Sequence, residues 1–256
     1  MAGREQPSVG RPEVDDEGAS RISLWEKLAG TSAAAPRTVL TPGRIAEVAV
    51  GIADAEGIDA VTMRRLAGAL GVAPMAAYRY VSGKDDLLEL MVDQVYSELV
   101  APEPDADWRT ALRTIAVRMR ALMLRHPWLT RLPSSRATLA LTPHRMAVAE
   151  WGMLALDGLG LDVDAMMAAV DSLGVYVQGR TAAEVAREQL MVGQGAADGG
   201  ELRTSLAPEM TWLLGTGRYP TFHRYTREAT RKDDPQWQFE TGLDCLLDGI
   251  AVRMGI

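Results

Sequence analysis

Residues 40–95 read LTPGRIAEVAVGIADAEGIDAVTMRRLAGALGVAPMAAYRYVSGKDDLLELMVDQV, and this stretch decides the fold. Thr41 suits a helix N-cap, and Pro42 fits the first helical position, where its missing N–H costs nothing. Ile45, Val48, Ala49 and Ile52 recur at helical spacing to make one apolar face, and Gly57 ends it. Thr62 opens a second, short helix with Leu66, Ala67 and Leu70 inside. Gly71-Val72 makes a tight turn, and Pro74 begins a third short helix through Tyr80. Ser82 is placed to cap a fourth, with Asp85 and Asp86 in its first turn, where the helix dipole favours acids. Two short helices joined by a glycine-containing turn, after a longer supporting helix, describe a helix-turn-helix, whose second helix can enter a major groove.

The charge of this stretch differs from that of the chain. Over 256 residues, 34 Asp+Glu outweigh 27 Lys+Arg, giving a formal charge of −7. Taken whole, that number argues against binding a polyanion. Between Val61 and Lys84, however, stand Arg64, Arg65, Arg79 and Lys84 with no acid among them. The acids of the same region, such as Glu47, Asp54, Glu56 and Asp93, fall mostly on the first and fourth helices. A locally basic face on an acidic body follows.

Composition excludes several classes. One cysteine, Cys245, supports neither an intrachain disulfide nor a multi-cysteine zinc site. His126, His144 and His223 lack metal-motif spacing, and the chain has no GxxxxGK[ST], GxGxxG or GxSxG. No cofactor, metal or enzymatic activity is therefore expected. The opening MAGREQPSVGRPEVDDEGAS lacks an apolar signal core, and no apolar run is long enough to span a membrane. A cytoplasmic protein without membrane contact is the expectation.

The chain reads as all-α. Residues 1–40 form a disordered or arm-like extension, 41–100 the helix-turn-helix domain, and 101–256 a helical bundle, with APEPDAD at 101–107 as the break. Beyond it the pattern predicts helices over 107–125, 127–132, 141–158, 162–192, 208–230 (broken near Gly215–Pro220) and 235–254, with a loop at 193–201.

The motif resembles the DNA-binding domain of the tetracycline-repressor family over about residues 41–98. The specific parts are AEG before the second helix, TMRRLAGALGV, and YRYVSGKDDLL after the third. LWEKLAG near the start and HPWL at 126–129 are similar to a subgroup of that family. The resemblance implies that Thr62, Tyr78, Tyr80 and Lys84 hold the DNA backbone and that Arg64 reaches a base, guanine by preference. Arg65 and Arg79 join them as candidate contacts. Pro74, Met75 and Ala76 match the tip of the recognition helix, where without hydrogen-bonding side chains they touch thymine methyls or fit groove shape. The family's founding members chelate magnesium–tetracycline through a fourth-helix histidine; DDLLELMVDQVYSELV contains none, which implies a different effector.

The second half is the expected sensor. Met119, Met123, Trp128, Trp151, Met167 and Tyr176 lie on apolar helical stripes, and Asp171 and Gln178 are polar positions within one. They are the candidate lining of an adaptable pocket for an unknown apolar effector. The resemblance implies a homodimer built on helices 162–192 and 235–254, with Phe239, Leu243, Leu246, Leu247 and Ile250 as candidate interface. The expected function is a ligand-responsive transcriptional regulator, a repressor released from a palindromic operator. The alternatives are an all-helical small-molecule-binding protein or enzyme, and a constitutive DNA-binding regulator without ligand.

Overall fold

The computed structural model of the protein describes residues 23–29, 40–132 and 141–256, and among these its regular structure is helical without a strand. Two compact units divide the chain, Met1–Thr38 and Val39–Ile256. In the first, Leu24–Ala29 form α1. Its start is a reciprocal cap: the Glu26 N–H donates to the Ser23 hydroxyl, and the Ser23 N–H donates to the Glu26 carboxylate. Apart from residues 23–29 and Leu40, the extension expected over 1–40 lies outside the described residues.

The second unit begins with the motif. α2 (Pro42–Glu56) starts where the Thr41 hydroxyl accepts the Arg44 N–H at 3.2 Å, and ends at Gly57. A short 3-10 turn, Ile58–Ala60, leads to α3 (Met63–Leu70), capped by Thr62, whose hydroxyl accepts the Arg65 N–H at 3.1 Å. Gly71 then turns the chain at φ +68°, a left-handed conformation that side chains with a Cβ resist, and its N–H serves the last carbonyls of α3. α4 spans only Pro74–Ala77. The sequence pattern extended it to Tyr80, but the Tyr80 N–H bonds back to Ala77, three residues earlier, and tightens the chain into a turn. α5 (Lys84–Tyr96) follows with Gly83 rather than Ser82 at its N-cap; the Ser82 N–H instead donates to Asp86 at 2.8 Å. α2 packs on α5, and Ile45, Ala49, Val61, Leu66, Ala77, Val81, Leu87 and Met91 are fully buried between them. Val72, in the turn, is half-buried.

Beyond the break come α6 (Trp108–Arg125), a 3-10 turn at Pro127–Arg131, α7 (Pro143–Leu156) and the 32-residue α8 (Val163–Gln194). α6 packs on α7 and α8, and α5 packs on α7, so the motif and the bundle share contacts within one unit. The loop expected at 193–201 is partly helical: α8 runs to Gln194, and α9 (Gly199–Ser205) starts at an Asp198 cap. The break expected near Gly215–Pro220 separates α10 (Ala207–Gly215) from α11 (Pro220–Glu228), and neither helix contributes a buried residue. α12 (Pro235–Met254) closes the chain and packs on α8.

That last contact corrects the candidate dimer interface. Phe239, Leu243 and Leu247 are fully buried in their own chain, Ile250 is buried and Leu246 half-buried. The stripe they form covers α8 of the same protomer. A partly buried ion pair anchors the contact: Arg120 donates to both oxygens of Glu184, at 3.0 and 2.8 Å, and to Gln236 at 2.5 Å. Its guanidinium lies 4.9 Å over the Phe239 ring. No helix among the described residues is long and apolar enough to cross a membrane.

Candidate nucleic-acid interface and ligand cleft

The motif leaves its polar groups exposed because its apolar residues are consumed by the core against α2 and α5. Thr62, Arg64, Arg65, Pro74, Met75, Tyr78, Arg79 and Lys84 are exposed, while Ala76 and Tyr80 are half-buried. The cap at Thr62 uses the hydroxyl oxygen as acceptor and leaves its O–H to donate outward, as a phosphate requires. Lys84 is the first residue of α5, where the helix dipole adds to its charge. Met75 stands clear at the tip of α4, 74% exposed, and Tyr78 follows it.

Arg64 and Arg65, adjacent in sequence, have different neighbours. Arg65 turns back onto α2, and its guanidinium donates to both oxygens of Glu56, the closer at 2.5 Å. That hydrogen bond holds the Glu56 carboxyl below its ordinary value and raises the Arg65 guanidinium further. Arg65 thus braces the motif, while Arg64 beside it is exposed.

The bundle side carries a cleft region of two adjacent lobes, with volumes of about 350 and 420 Å3. Tyr96, Arg145, Val175 and Gln178 line both. Met123, Leu129 and Leu132 are among those lining one lobe; Met119, Met146, Met167 and Asp171 belong to the other. Of the residues expected to line a pocket, Met119, Met123, Met167, Asp171 and Gln178 are therefore brought together. Trp151 does not line either lobe. Tyr176 turns towards α12, donating its O–H to the Phe239 carbonyl at 2.6 Å. Burial raises its phenol above the ordinary value.

Trp128 is also elsewhere, and its position explains HPWL. It is 3% exposed, and its indole N–H donates to Asp54 at the end of α2, at 2.8 Å. His126, 5% exposed, lies between the same carboxylate, 2.8 Å from Nδ1, and Glu98, 3.2 Å from Nε2. Arg125 pairs with Glu98 at 2.7 Å. Residues at the end of α6 thus grip both α2 and the segment after α5. A second tie joins α5 to α7: the buried Asp93 accepts the His144 backbone N–H and ring Nδ1, each at 2.9 Å. Sequence reasoning missed Asp54, Asp93, Glu98, Tyr96 and Arg145, because each looks like an ordinary helix residue until its tertiary partner is known.

Comparison with known proteins places this geometry. The profile of bacterial regulatory proteins of the tetR family matches residues 45–91, and that of the tetracyclin repressor-like C-terminal domain matches 101–254. The HTH-type transcriptional repressor DrrR1 of Streptomyces coeruleorubidus is 35% identical over 219 residues, covering 85% of this chain and 79% of that protein. The crystal structure of apo ActR from Streptomyces coelicolor superposes with a TM-score of 0.66 at 28% identity, covering 85% of this chain and 98% of that one. ActR in complex with actinorhodin gives 0.65 at 28% identity, with 82% and 95% covered. With an exposed basic helix-turn-helix on a helical bundle, and with both halves matched in order, the chain belongs to the tetR family of bacterial DNA-binding transcriptional regulators.

Proposed function

We propose that this protein is a homodimeric repressor that holds a palindromic operator and releases it when an apolar small molecule enters the cleft. The observation that carries the reading is one helix: α5 begins with the exposed Lys84, at the end of the acid-free stretch 61–84, and ends with Tyr96 in the cleft wall. A ligand that fits one tilt of α5 better than another shifts the placement of the motif by that difference in affinity. Supporting it, DrrR1 is named a transcriptional repressor, and ActR is a relative solved with a small molecule.

The dimer reading changes faces rather than helices. The buried stripe of α12 is occupied within the protomer, which leaves its outer side, with Cys245, Gly249 and Val252, exposed. On α8, Ala168, Ser172, Ala186 and Leu190 are exposed and line neither lobe of the cleft. Small residues at helical spacing let helices approach closely, and a two-fold axis there presents two motifs to an operator of matching symmetry.

Selection of bound fragments from random duplex DNA by the purified protein tests the proposal. Enrichment of an inverted repeat is expected, together with loss of its specific binding in the Arg64→Ala, Lys84→Ala double variant. Failure to enrich any sequence, or unchanged binding by the folded variant, overturns it.

A further inference from the structure

The outer tip of the motif is apolar. From Leu66 to Ala77 the chain reads LAGALGVAPMAA, without one side-chain nitrogen or oxygen. Leu66, Ala67 and Ala77 are buried in the motif's own core, while Gly68, Ala69, Gly71, Ala73, Pro74 and Met75 are exposed. Ala77 has no accessible surface, and Met75, two helical residues earlier, lies about 200° round the axis of α4 from it, so burying the one turns the other outward. The outcome is a thioether side chain 74% exposed, with Pro74 and small residues on either side of it in the chain. Of the two arginines before this run, Arg65 is held by Glu56. The second helix of such a motif lies in the major groove, where reading a base edge by hydrogen bonds takes donors or acceptors. The side chains of α4 supply neither. The apolar group that marks a base pair in that groove is the C5 methyl of thymine.

We infer, resting on the operator-binding reading above, that Met75 is a specificity-determining residue that selects thymine by its methyl group. Its unbranched side chain has three rotatable bonds and a polarisable sulfur, so it seats against one methyl or spans two neighbouring ones. Hydrogen bonding takes no part in this selection. A position read by Met75 therefore senses the methyl rather than the donor and acceptor pattern, and 5-methylcytosine is accepted there far better than cytosine. The operator class that follows has at least one thymine facing α4 in each half-site, in addition to any base contacted by Arg64.

The test uses the full-length protein and the inverted repeat that it selects from random duplexes, with affinity read by fluorescence anisotropy. Each thymine is replaced in turn by deoxyuridine, which deletes the methyl and keeps every hydrogen-bonding group. Burial of one methyl corresponds to about a fourfold change in affinity. Deoxyuridine at a position facing α4 should therefore weaken binding about fourfold in one half-site and about fifteenfold in both. Met75→Ala should weaken the unmodified operator and make it indifferent to deoxyuridine at that position, and Met75→Leu should keep most of both properties. The slope of log affinity against log salt should be unchanged in Met75→Ala, since no phosphate contact is lost. Cytosine at the same position should weaken binding, and 5-methylcytosine should recover about fourfold with the unaltered protein but not with Met75→Ala. Helical circular dichroism confirms that each variant is folded. A selected repeat that lacks thymine or is indifferent to every deoxyuridine, as readout of groove shape alone would give, overturns the methyl inference and leaves the operator-binding reading standing. So does a deoxyuridine penalty of the same size in Met75→Ala. Failure to select any sequence overturns the operator-binding reading and this inference with it.

Discussion

Arg64, Arg65 and Lys84 illustrate how neighbours decide what a charge does. Arg64 is free to form a bidentate contact with a base, so Arg64→Ala should cost about 1–3 kcal/mol of operator affinity and relax preference at one position of each half-site. Lys84→Gln should instead weaken all duplexes alike and lower the slope of log affinity against log salt by about one. Fluorescence anisotropy across a salt series, with the operator and a scrambled duplex, separates the two effects. Arg65→Ala, which removes a brace to Glu56, should alter affinity less than Arg64→Ala in the same assay. Away from DNA, Trp128→Phe deletes one N–H donor to the carboxylate of Asp54, whose side chain is about a third exposed. A loss of about 1.5 kcal/mol in urea unfolding is expected, at the low end for a bond to a charged acceptor. The basic residues were legible in the sequence because a run without acids is visible there. The bracing role of Arg65 was not, since its partner lies nine positions away on another helix.

At the scale of elements, the caps and breaks were the legible part. Thr41, Thr62, Gly57 and Gly71 stand where local chemistry asks for them, and they do cap or end α2 and α3. The face that each helix buries was harder. The stripe on α12 is the same whether it covers α8 of its own chain or that of a second copy. If the outer face pairs with a partner instead, Cys245→Arg with Gly249→Arg should convert the dimer to a folded monomer in analytical ultracentrifugation. A Cβ at Gly249 meets nothing within the protomer, so loss of folding is not expected. The segment after α8 offers a pH prediction. Asp233 receives Arg203 and Arg187, and their hydrogen bonds hold its carboxyl below its ordinary value of 3.8. A depressed carboxylate stabilises the folded form above its unfolded pKa and loses that contribution as pH falls through the folded one. The tether of α9 to the start of α12 should therefore be intact at neutral pH and loosen below about pH 4. Amide hydrogen exchange of residues 199–233 between pH 6 and pH 3, corrected for intrinsic rates, should show it. Asp233→Asn should show the loosening already at pH 6.

Over the whole molecule, regulation requires the motif and the cleft to be one mechanical body. Asp54, Glu98 and Asp93 receive His126, Trp128 and His144 across the line between the two halves, and α5 belongs to both. Coupling between sites is reciprocal. Once an effector is in hand, the factor by which it lowers operator affinity should equal the factor by which operator lowers effector affinity, measured by titrations in both orders. A ligand that binds with equal affinity to free and DNA-bound protein would contradict the release mechanism.

Periodicity, caps and local charge, all properties of near neighbours, made the all-α architecture, the helix-turn-helix and its basic face readable from the chain alone. The cleft, the knot around Asp54 and the outward face of α12 were decided only by tertiary packing. Each depends on which side chains meet across tens of residues, as His126 meets Asp54 and Tyr96 meets the cleft, and the sequence orders residues along the chain without placing such distant pairs together.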